Sequence, residues 1–216
     1  MLECIALIKQ GDIEGVRKML DNGLSTNRSA CGPRGKGFIS LLHTAVNYGQ
    51  TNIVQLLLER GADVNQLSDS DDYTPLMVAI RKQNLDMVRL LIQHGANVNH
   101  SVEDDGWGAT YGLTPLMLSA EYDNSDILQV LIDNGAIVDH REEYMETYNT
   151  GYTALLYAIS YNKRANVKLL LQKGANPNIC DVNNVSPLTL ALRSRYYRIA
   201  FMLIMYGGAE CLREFM

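Results

Sequence analysis

The sequence has few cysteines and histidines and no long apolar run. Its 216 residues include four cysteines, at positions 4, 31, 180 and 211, and no C-x-x-C pair. This number and spacing predict neither a disulfide framework nor a zinc site. No apolar run approaches the roughly 18 residues of a membrane-spanning helix, and no basic segment precedes an apolar one at the N-terminus. We therefore expect an intracellular protein, cytoplasmic or nuclear, with reduced cysteines and no membrane contact.

Motifs for common enzyme chemistries are also missing. The sequence contains no G-x-S-x-G elbow, no Walker loop and no dinucleotide-binding fingerprint. His100 and His140 recur at one offset near Asp104 and Glu142, but metal sites need three or four ligands on firm backbone, which makes a metal there a weak alternative. We expect no catalytic residue, no metal and no cofactor.

What the sequence does have is one 22-residue frame that recurs six times. A leucine stands two places into most copies and a small residue three places later, as in Leu76 and Ala79. A repeat of this length indicates a stacked array in which no unit can bury its apolar face alone. The first and last residues of the six frames are Leu2/Gly23, Ser40/Gly61, Thr74/Gly95, Thr114/Gly135, Thr153/Gly174 and Ser186/Gly207.

Each frame predicts two short helices. Thr74 followed by Pro75 favours a helix start, because proline lacks the N–H that would be unsatisfied at that position. Apolar spacing predicts that this first helix ends near residues 83–84 and that a second runs from Leu85 to His94. Gly95 then suits the left-handed conformation that ends a helix. The two helices should form a hairpin, followed by an extended loop, here called a finger.

Three segments of the form [ST]-P-L-x and three closing segments of the form G-A-[DN]-x-N resemble the ankyrin repeat family. The resemblance implies an all-α repeat solenoid of helix-turn-helix units with β-hairpin-like fingers and a concave binding groove. It also implies a structural, hydrogen-bonding role for His43 and one elongated domain over residues 1–216. The segments are Thr74–Met77, Thr114–Met117 and Ser186–Thr189, and Gly61–Asn65, Gly95–Asn99 and Gly174–Asn178; the repeats span approximately 1–27, 39–66, 73–100, 113–140, 152–179 and 185–210.

Three fingers are longer than the family pattern requires. Closing glycines are 38, 34, 40, 39 and 33 residues apart, and insertions in repeat proteins often lie on the binding face. Tolerated extra length is the alternative, since doubling a loop costs only about 0.6 kcal/mol. Aromatic side chains at the fingers favour binding. We therefore predict partner contacts at Tyr73, Trp107, Tyr111 and Tyr152.

Negative charge is concentrated on three adjacent fingers. Their formal charges are −3, −3 and −2, whereas the whole chain carries −5 and the first finger +3. A surface of one sign recruits the opposite charge, so a basic or extended peptide segment is the expected ligand; solvated loops are the alternative. Nucleic acid is disfavoured, because cations cluster only on the first finger. The predicted acidic finger patch comprises Asp71, Asp72, Asp104, Asp105, Glu142 and Glu143.

A second predicted contact surface lies at the ends of the first helices. The resemblance implies that these positions face the concave groove and contact a partner. Tyrosine there offers rigid contact area with a polar tip, although the rings could instead pad neighbouring repeats. The predicted contacts are Tyr48, Arg81, Lys82, Glu121, Tyr122 and Tyr161.

The last repeat and the closing asparagines raise two further expectations. The final second helix is apolar around much of its circumference, whereas a terminal repeat should be polar outside. Either residues 211–215 fold back over it, or a further element or a partner covers it. The family resemblance also implies that Asn65, Asn99 or Asn178 could be substrates of an asparagine hydroxylase.

Together these features predict a monomeric, non-enzymatic scaffold that binds another protein or peptide through the groove and the fingers. The alternative is a ligand-sensing regulatory domain of a larger protein, in which Trp107 or Tyr111 stacks on a small aromatic or nucleotide ligand.

Overall fold

A computed structural model describes residues 2–27, 29–31, 38–68, 72–102, 112–142 and 151–207. Within these ranges the chain divides into two compact units, Met1–Asn97 and Val98–Met216, and each unit is described by itself below.

Twelve helices in the described ranges form six consecutive hairpins, as the repeated frame predicts. Apart from the short first finger, nearly all regular structure in the described ranges is helical. The helices are α1 (Leu2–Gln10), α2 (Ile13–Asp21), α3 (Leu41–Asn47), α4 (Thr51–Glu59), α5 (Pro75–Arg81), α6 (Leu85–Gln93), α7 (Pro115–Ala120), α8 (Ser125–Asp133), α9 (Ala154–Ser160), α10 (Arg164–Gln172), α11 (Pro187–Arg193) and α12 (Tyr197–Met205).

A serine or threonine cap begins the first helix of every repeat from the second onward. The Thr74 hydroxyl accepts a hydrogen bond from the Met77 N–H at 3.3 Å, which satisfies one of the backbone donors that a helix start leaves unpaired. Ser40, Thr114, Thr153 and Ser186 cap α3, α7, α9 and α11 in the same way. The first residue of the frame is therefore serine or threonine because its hydroxyl caps the helix.

A glycine in the left-handed conformation closes each hairpin. At Gly61 and Gly95, φ is 81° and 87°, a region that residues with a Cβ rarely adopt. A Cβ built at either glycine would meet nothing within 4 Å. Backbone conformation, and not crowding, therefore requires glycine at this place.

Like helices stack on like helices within each unit. In the first unit α1 packs on α3 and α3 on α5, while α2 packs on α4; in the second, α7 packs on α9 and α9 on α11, while α8 packs on α10 and α10 on α12. The contact faces bury apolar side chains such as Leu42, Leu76, Leu116 and Leu155. Each hairpin thus contributes one face to each of its neighbours within the unit.

Two of the fingers show paired extended backbone. Strands β1 (Ser29–Cys31) and β2 (Phe38–Ser40) form an antiparallel pair with Ser29 opposite Ser40, and a single bridge joins Arg141 to Thr153. These pairs confirm the hairpin-like geometry at the base of the first and fourth fingers.

Closing asparagines tie successive repeats together within the units. Asn65 accepts a hydrogen bond from the Asn97 N–H at 2.7 Å and donates to the Gly95 carbonyl at 3.2 Å. Asn99 makes the same two bonds to Ile137 and Gly135. Asp139 occupies this place in the fourth repeat and only accepts, from the Asn176 N–H at 3.0 Å, because a carboxylate has no proton to donate.

Candidate functional site

Much of the predicted contact surface lies outside the described residues. Asp71, Asp104, Asp105, Trp107, Tyr111 and Glu143 belong to this group, as does the segment 211–215 that could cover the last repeat. The described residues include the other predicted contacts, Tyr48, Tyr73, Arg81, Lys82, Glu121, Tyr122, Tyr152 and Tyr161. They also include the acidic residues Asp72 and Glu142.

In the first unit, the ends of the first helices are exposed as expected. The Tyr48 ring is 47% exposed, with the Lys9 ammonium 5.5 Å from its centroid. Arg81 and Lys82 at the end of α5 are also exposed. These side chains are accessible to a partner.

Tyr73 differs from its prediction as a surface contact. Only 8% of it is exposed, because the Arg81 guanidinium covers its ring at 5.2 Å and its N–H is bonded to the Ser68 hydroxyl at 3.1 Å. Its carbonyl accepts from His43 Nε2 at 2.8 Å. Tyr73 therefore belongs to the packing between the second and third repeats, and we leave it out of the contact surface.

His43 has the structural role expected for it. It is buried, and because Nε2 faces a carbonyl it must carry a proton, which leaves Nδ1 to accept from the Ser40 hydroxyl at 2.8 Å. Both ring nitrogens are thus used in holding the cap of α3 to the next repeat.

In the second unit, the turn after α7 differs from its counterparts. The turns of the five other hairpins each hold a residue in the left-handed region, for example Gln83 with φ of 57°. The following N–H bonds back to a helix carbonyl, as Asn84 does to Ala79 at 3.1 Å. In the fourth repeat the carbonyl of Ser119 instead accepts the Tyr122 N–H at 3.3 Å. The carbonyls at this helix end need another donor.

Asn166 of the next repeat supplies that donor. Its side-chain amide donates to the carbonyls of Ala120 and Tyr122 at 3.2 and 2.7 Å, and the residue is fully buried. Tyr122 is consequently half-buried at its predicted contact position, with its backbone fixed by α10. Equivalent places in the other hairpins from the second repeat onward hold Ile53, Met87, Ile127 and Ile199.

Beside this turn, five residues form what we call the tyrosine–glutamate cluster: Glu121, Glu142, Tyr152, Tyr157 and Tyr161. Glu142 accepts a short hydrogen bond from the Tyr157 hydroxyl and another from the Tyr152 N–H at 3.2 Å. The rings of Tyr152 and Tyr157 meet edge to face, with centroids 5.6 Å apart, a favourable aromatic geometry. Tyr161 is 51% exposed.

Glu142 is therefore not part of an exposed acidic patch. Only 5% of it is exposed, and its carboxylate is held between the fourth finger and α9. Asp72, the other described member of that patch, is partly buried in the second finger, with φ of 51°.

The electrostatics of the cluster reflect two carboxylates near one another. Burial, and secondarily the charge of Glu142, raise the pKa of Glu121. Burial, followed by the charge of Glu142, raises the pKa of the Tyr157 hydroxyl far above its ordinary range, and the charge of Glu121 raises the pKa of Tyr161. The charge of Glu142 contributes to the raised pKa of Glu121 and Tyr157, and the charge of Glu121 to that of Tyr161, so added positive charge would stabilise the cluster.

The described residues contain no group of three or more His, Cys, Asp or Glu side chains placed to hold a metal ion. None of their helices is long and apolar enough to cross a membrane.

Comparison with known proteins identifies the repeat. A family model of ankyrin repeats, built as three copies, matches residues 4–102, 100–181 and 143–214. The chain belongs to the ankyrin repeat family. The ankyrin repeat protein YahD of Escherichia coli is 31% identical over 205 residues, which cover 93% of each chain.

Solved structures agree with this assignment. An ankyrin repeat domain from Acinetobacter baumannii superposes with a TM-score of 0.80 at 27% identity, covering 95% of this chain and 97% of that one. The predicted fold class, an all-α repeat solenoid, is confirmed. Ankyrin repeats are generally protein–protein interaction modules and generally non-catalytic. A shorter match, 36% identical over 80 residues, covers 16% of serine/threonine-protein kinase 12 of Arabidopsis thaliana.

Two residues of this site, Tyr157 and Asn166, were missed by sequence reasoning. Both stand at places where the third and fourth ankyrin repeats carry apolar residues: Val78 and Leu118 for Tyr157, Met87 and Ile127 for Asn166. A polar residue at a place that is apolar in most other repeats was the signal that could have identified them.

Proposed function

We propose that this ankyrin repeat protein binds a partner protein through the first-helix surface, with the tyrosine–glutamate cluster as the anchor for a basic side chain of an extended segment. The observation that carries the proposal is a half-exposed tyrosine, Tyr161, near the partly buried Glu121, which in turn lies near the buried Glu142. Two carboxylates in a partly desolvated site attract a cation more strongly than solvated loops do.

The tyrosines add a second source of cation affinity. A Lys or Arg head over a tyrosine face gains roughly 0.5–2 kcal/mol, depending on desolvation. Tyr48 in the first unit offers an exposed ring of the same kind, already approached by Lys9. Arg81 and Lys82, also in the first unit, add two exposed positive charges that would contact acidic side chains of a partner.

The test uses a matched pair of double variants. Tyr161→Ala with Glu121→Gln removes the exposed ring and the accessible carboxylate but leaves the buried Glu142–Tyr157 bond. Ile137→Ala with Asp126→Asn makes a comparable truncation and charge change at exposed sites away from the cluster. Both proteins, checked for folding by circular dichroism, are used to capture partners from lysate, with an Arg- and Lys-rich peptide as competitor.

We expect the cluster variant to lose the principal partner by about thirtyfold in affinity, equivalent to the roughly 2 kcal/mol of an interface hot spot. The control variant should retain it, and the basic peptide should compete. Retention of every partner by a folded cluster variant would refute the assignment. The same panel should include nucleotides and metabolites, because a small ligand that raises the melting temperature would favour the sensing alternative.

A further inference from the structure

The last two hairpins carry a second surface, of opposite charge to the cluster. Where the turns of the fifth and sixth repeats meet, a cavity of about 220 Å³ opens to solvent. We call it the arginine pocket; it is lined chiefly by Arg164, Arg195, Arg198, Tyr196 and Tyr197.

Positive charge dominates this part of the chain. Between Asp181 and Glu210 the sequence contains no acidic residue, but it contains Arg193, Arg195 and Arg198. Arg164, Arg195 and Arg198 are exposed, and none of them has an ion pair within the portion of the chain that the structure describes. Three arginines that line one cavity, with no carboxylate partner among the described residues, offer a site for an anion, since arginine binds carboxylates through two parallel hydrogen bonds.

An apolar stripe leads away from the pocket along α12. Tyr197, Phe201 and Met205 are four residues apart and are 66, 64 and 68% exposed. They share one face of the helix. Large exposed apolar patches on soluble proteins mark interaction sites more often than chance.

Stacking of a further ankyrin repeat would not cover this stripe. The places of Phe201 and Met205 correspond to Gln55 and Glu59 in α4 and to Arg89 and Gln93 in α6, counted back from the closing glycine. All four residues are exposed, and Gln55 and Glu59 are exposed although their repeat has a neighbour on each side within the first unit. The stripe therefore faces outward, where the family's repeats carry polar side chains, and its apolar character needs a different explanation.

We propose that the arginine pocket and the stripe together bind an acidic, amphipathic segment of a partner protein. Carboxylates of that segment pair with Arg164, Arg195 and Arg198 in the pocket, and its apolar side chains pack on Tyr197, Phe201 and Met205. A purely acidic segment would contact only the pocket, whereas an acidic, amphipathic segment would contact both the pocket and the stripe. The amphipathic segment should therefore bind more tightly, because the pocket and the stripe each contribute part of the affinity. This site is separate from the tyrosine–glutamate cluster and does not depend on the function proposed for it.

The experiment measures binding of a fluorescein-labelled peptide in which Glu pairs alternate with Leu and Phe. The main variant is Arg164→Glu with Arg198→Glu. Both residues lie in the first turn of a helix, where a carboxylate interacts favourably with the helix dipole, so the variant should fold at least as well as the parent. Lys18→Glu with Arg89→Glu makes the same change in net charge at exposed sites elsewhere.

We expect the pocket variant to weaken peptide binding at least tenfold and the control variant to change it less than twofold. Phe201→Lys, which installs the residue type found at the same place of α10, Lys168, should weaken binding about fivefold. A peptide with Ser in place of Leu and Phe should bind the parent about as weakly as the intact peptide binds Phe201→Lys.

Three outcomes would overturn the proposal. Equal affinity of the pocket variant and its charge-matched control would show that only net charge matters. Binding of phosphatidylserine vesicles, without binding of the peptide, would assign the surface to a membrane. Concentration-dependent dimerisation that Phe201→Lys abolishes, again without peptide binding, would assign it to a second copy of the chain.

Discussion

The third and the fourth repeats end their first helices in different ways. In the third, Gln83 adopts a left-handed conformation and the chain bonds back on itself, with Asn84 donating to Ala79. In the fourth, the turn lacks this conformation, and its carbonyls are satisfied from the next repeat by Asn166. The first solution is local and the second is shared between neighbours.

The difference shows that the backbone hydrogen bonds of a hairpin can be completed either within the hairpin or by its neighbour. The unusual turn after α7 is tolerated because Asn166, an unusual residue at its place in the next repeat, supplies the missing hydrogen-bond donor. A buried carbonyl that loses its hydrogen-bond donor costs stability, so reverting one of the two changes without the other should destabilise the protein.

The largest effect is expected from replacing Asn166 by isoleucine, the residue at the same place of α4, α8 and α12. This change leaves the carbonyls of Ala120 and Tyr122 without their donor, at a cost of roughly 2–4 kcal/mol. Thermal unfolding should occur about 4–16 °C lower, since 1 kcal/mol shifts the melting temperature by about 2–4 °C in a domain of this size.

A double variant sharpens this comparison. Asp123→Gly allows the left-handed turn that the third repeat has, so Asn166→Ile with Asp123→Gly should recover at least half of the lost stability. Additive losses in the double variant would show that the turn and Asn166 are independent.

A smaller gain is expected from Asp139→Asn, which completes the set of bonds that Asn65 and Asn99 make. Asparagine at this place can donate to the Gly174 carbonyl while still accepting from Asn176. The variant should be more stable by roughly 0.5–1.5 kcal/mol, the net value of one hydrogen bond, in urea unfolding at neutral pH. The reverse change, Asn99→Asp, is the control and should destabilise by a similar amount.

The smallest effect is expected from Glu121→Gln, and it should depend on pH. Because burial and Glu142 raise the pKa of Glu121 in the folded state, the ionised form is disfavoured by folding. The contribution of protonated Glu121 to the free energy of unfolding is fully present below about pH 4, near the pKa of an unfolded glutamate. It is lost as the pH rises through the raised pKa of the folded state.

The glutamine variant mimics the protonated form. At pH 7 it should melt about 1–2 °C higher than the parent, a shift of less than about 1 kcal/mol, and the difference should shrink as pH is lowered toward 4. A difference that stays constant with pH would show that the effect is not electrostatic.

The sequence predicted the helices well because their signals are local. Thr74, Pro75 and Gly95 determine where the hairpin of the third repeat begins and ends through a cap, a fixed φ and a left-handed closure. Helix α6 spans Leu85–Gln93, within one residue of the predicted end at His94.

The site was less predictable because its contacts join residues far apart in the chain. Asn166 and Ala120 are 46 residues apart, and Tyr157 and Glu142 are 15 apart. Tyr73 and Glu142 were expected at the surface because fingers are usually exposed, but Arg81 covers Tyr73 and the fourth finger folds Glu142 onto α9. Burial of these two depends on neighbouring repeats, which composition and charge do not reveal.

The closing asparagines give the array a direction. Each reaches forward, to the closing turn of the repeat that follows, and Asn178 does so to the Gly207 carbonyl at 3.2 Å. A chimaeric protein that exchanges one repeat should therefore be joined within a finger. The closing asparagine then stays with its own hairpin, and the glycine whose carbonyl accepts its hydrogen bond stays with the next hairpin. A junction placed inside the closing turn would separate the asparagine side chain from the hairpin whose backbone positions it.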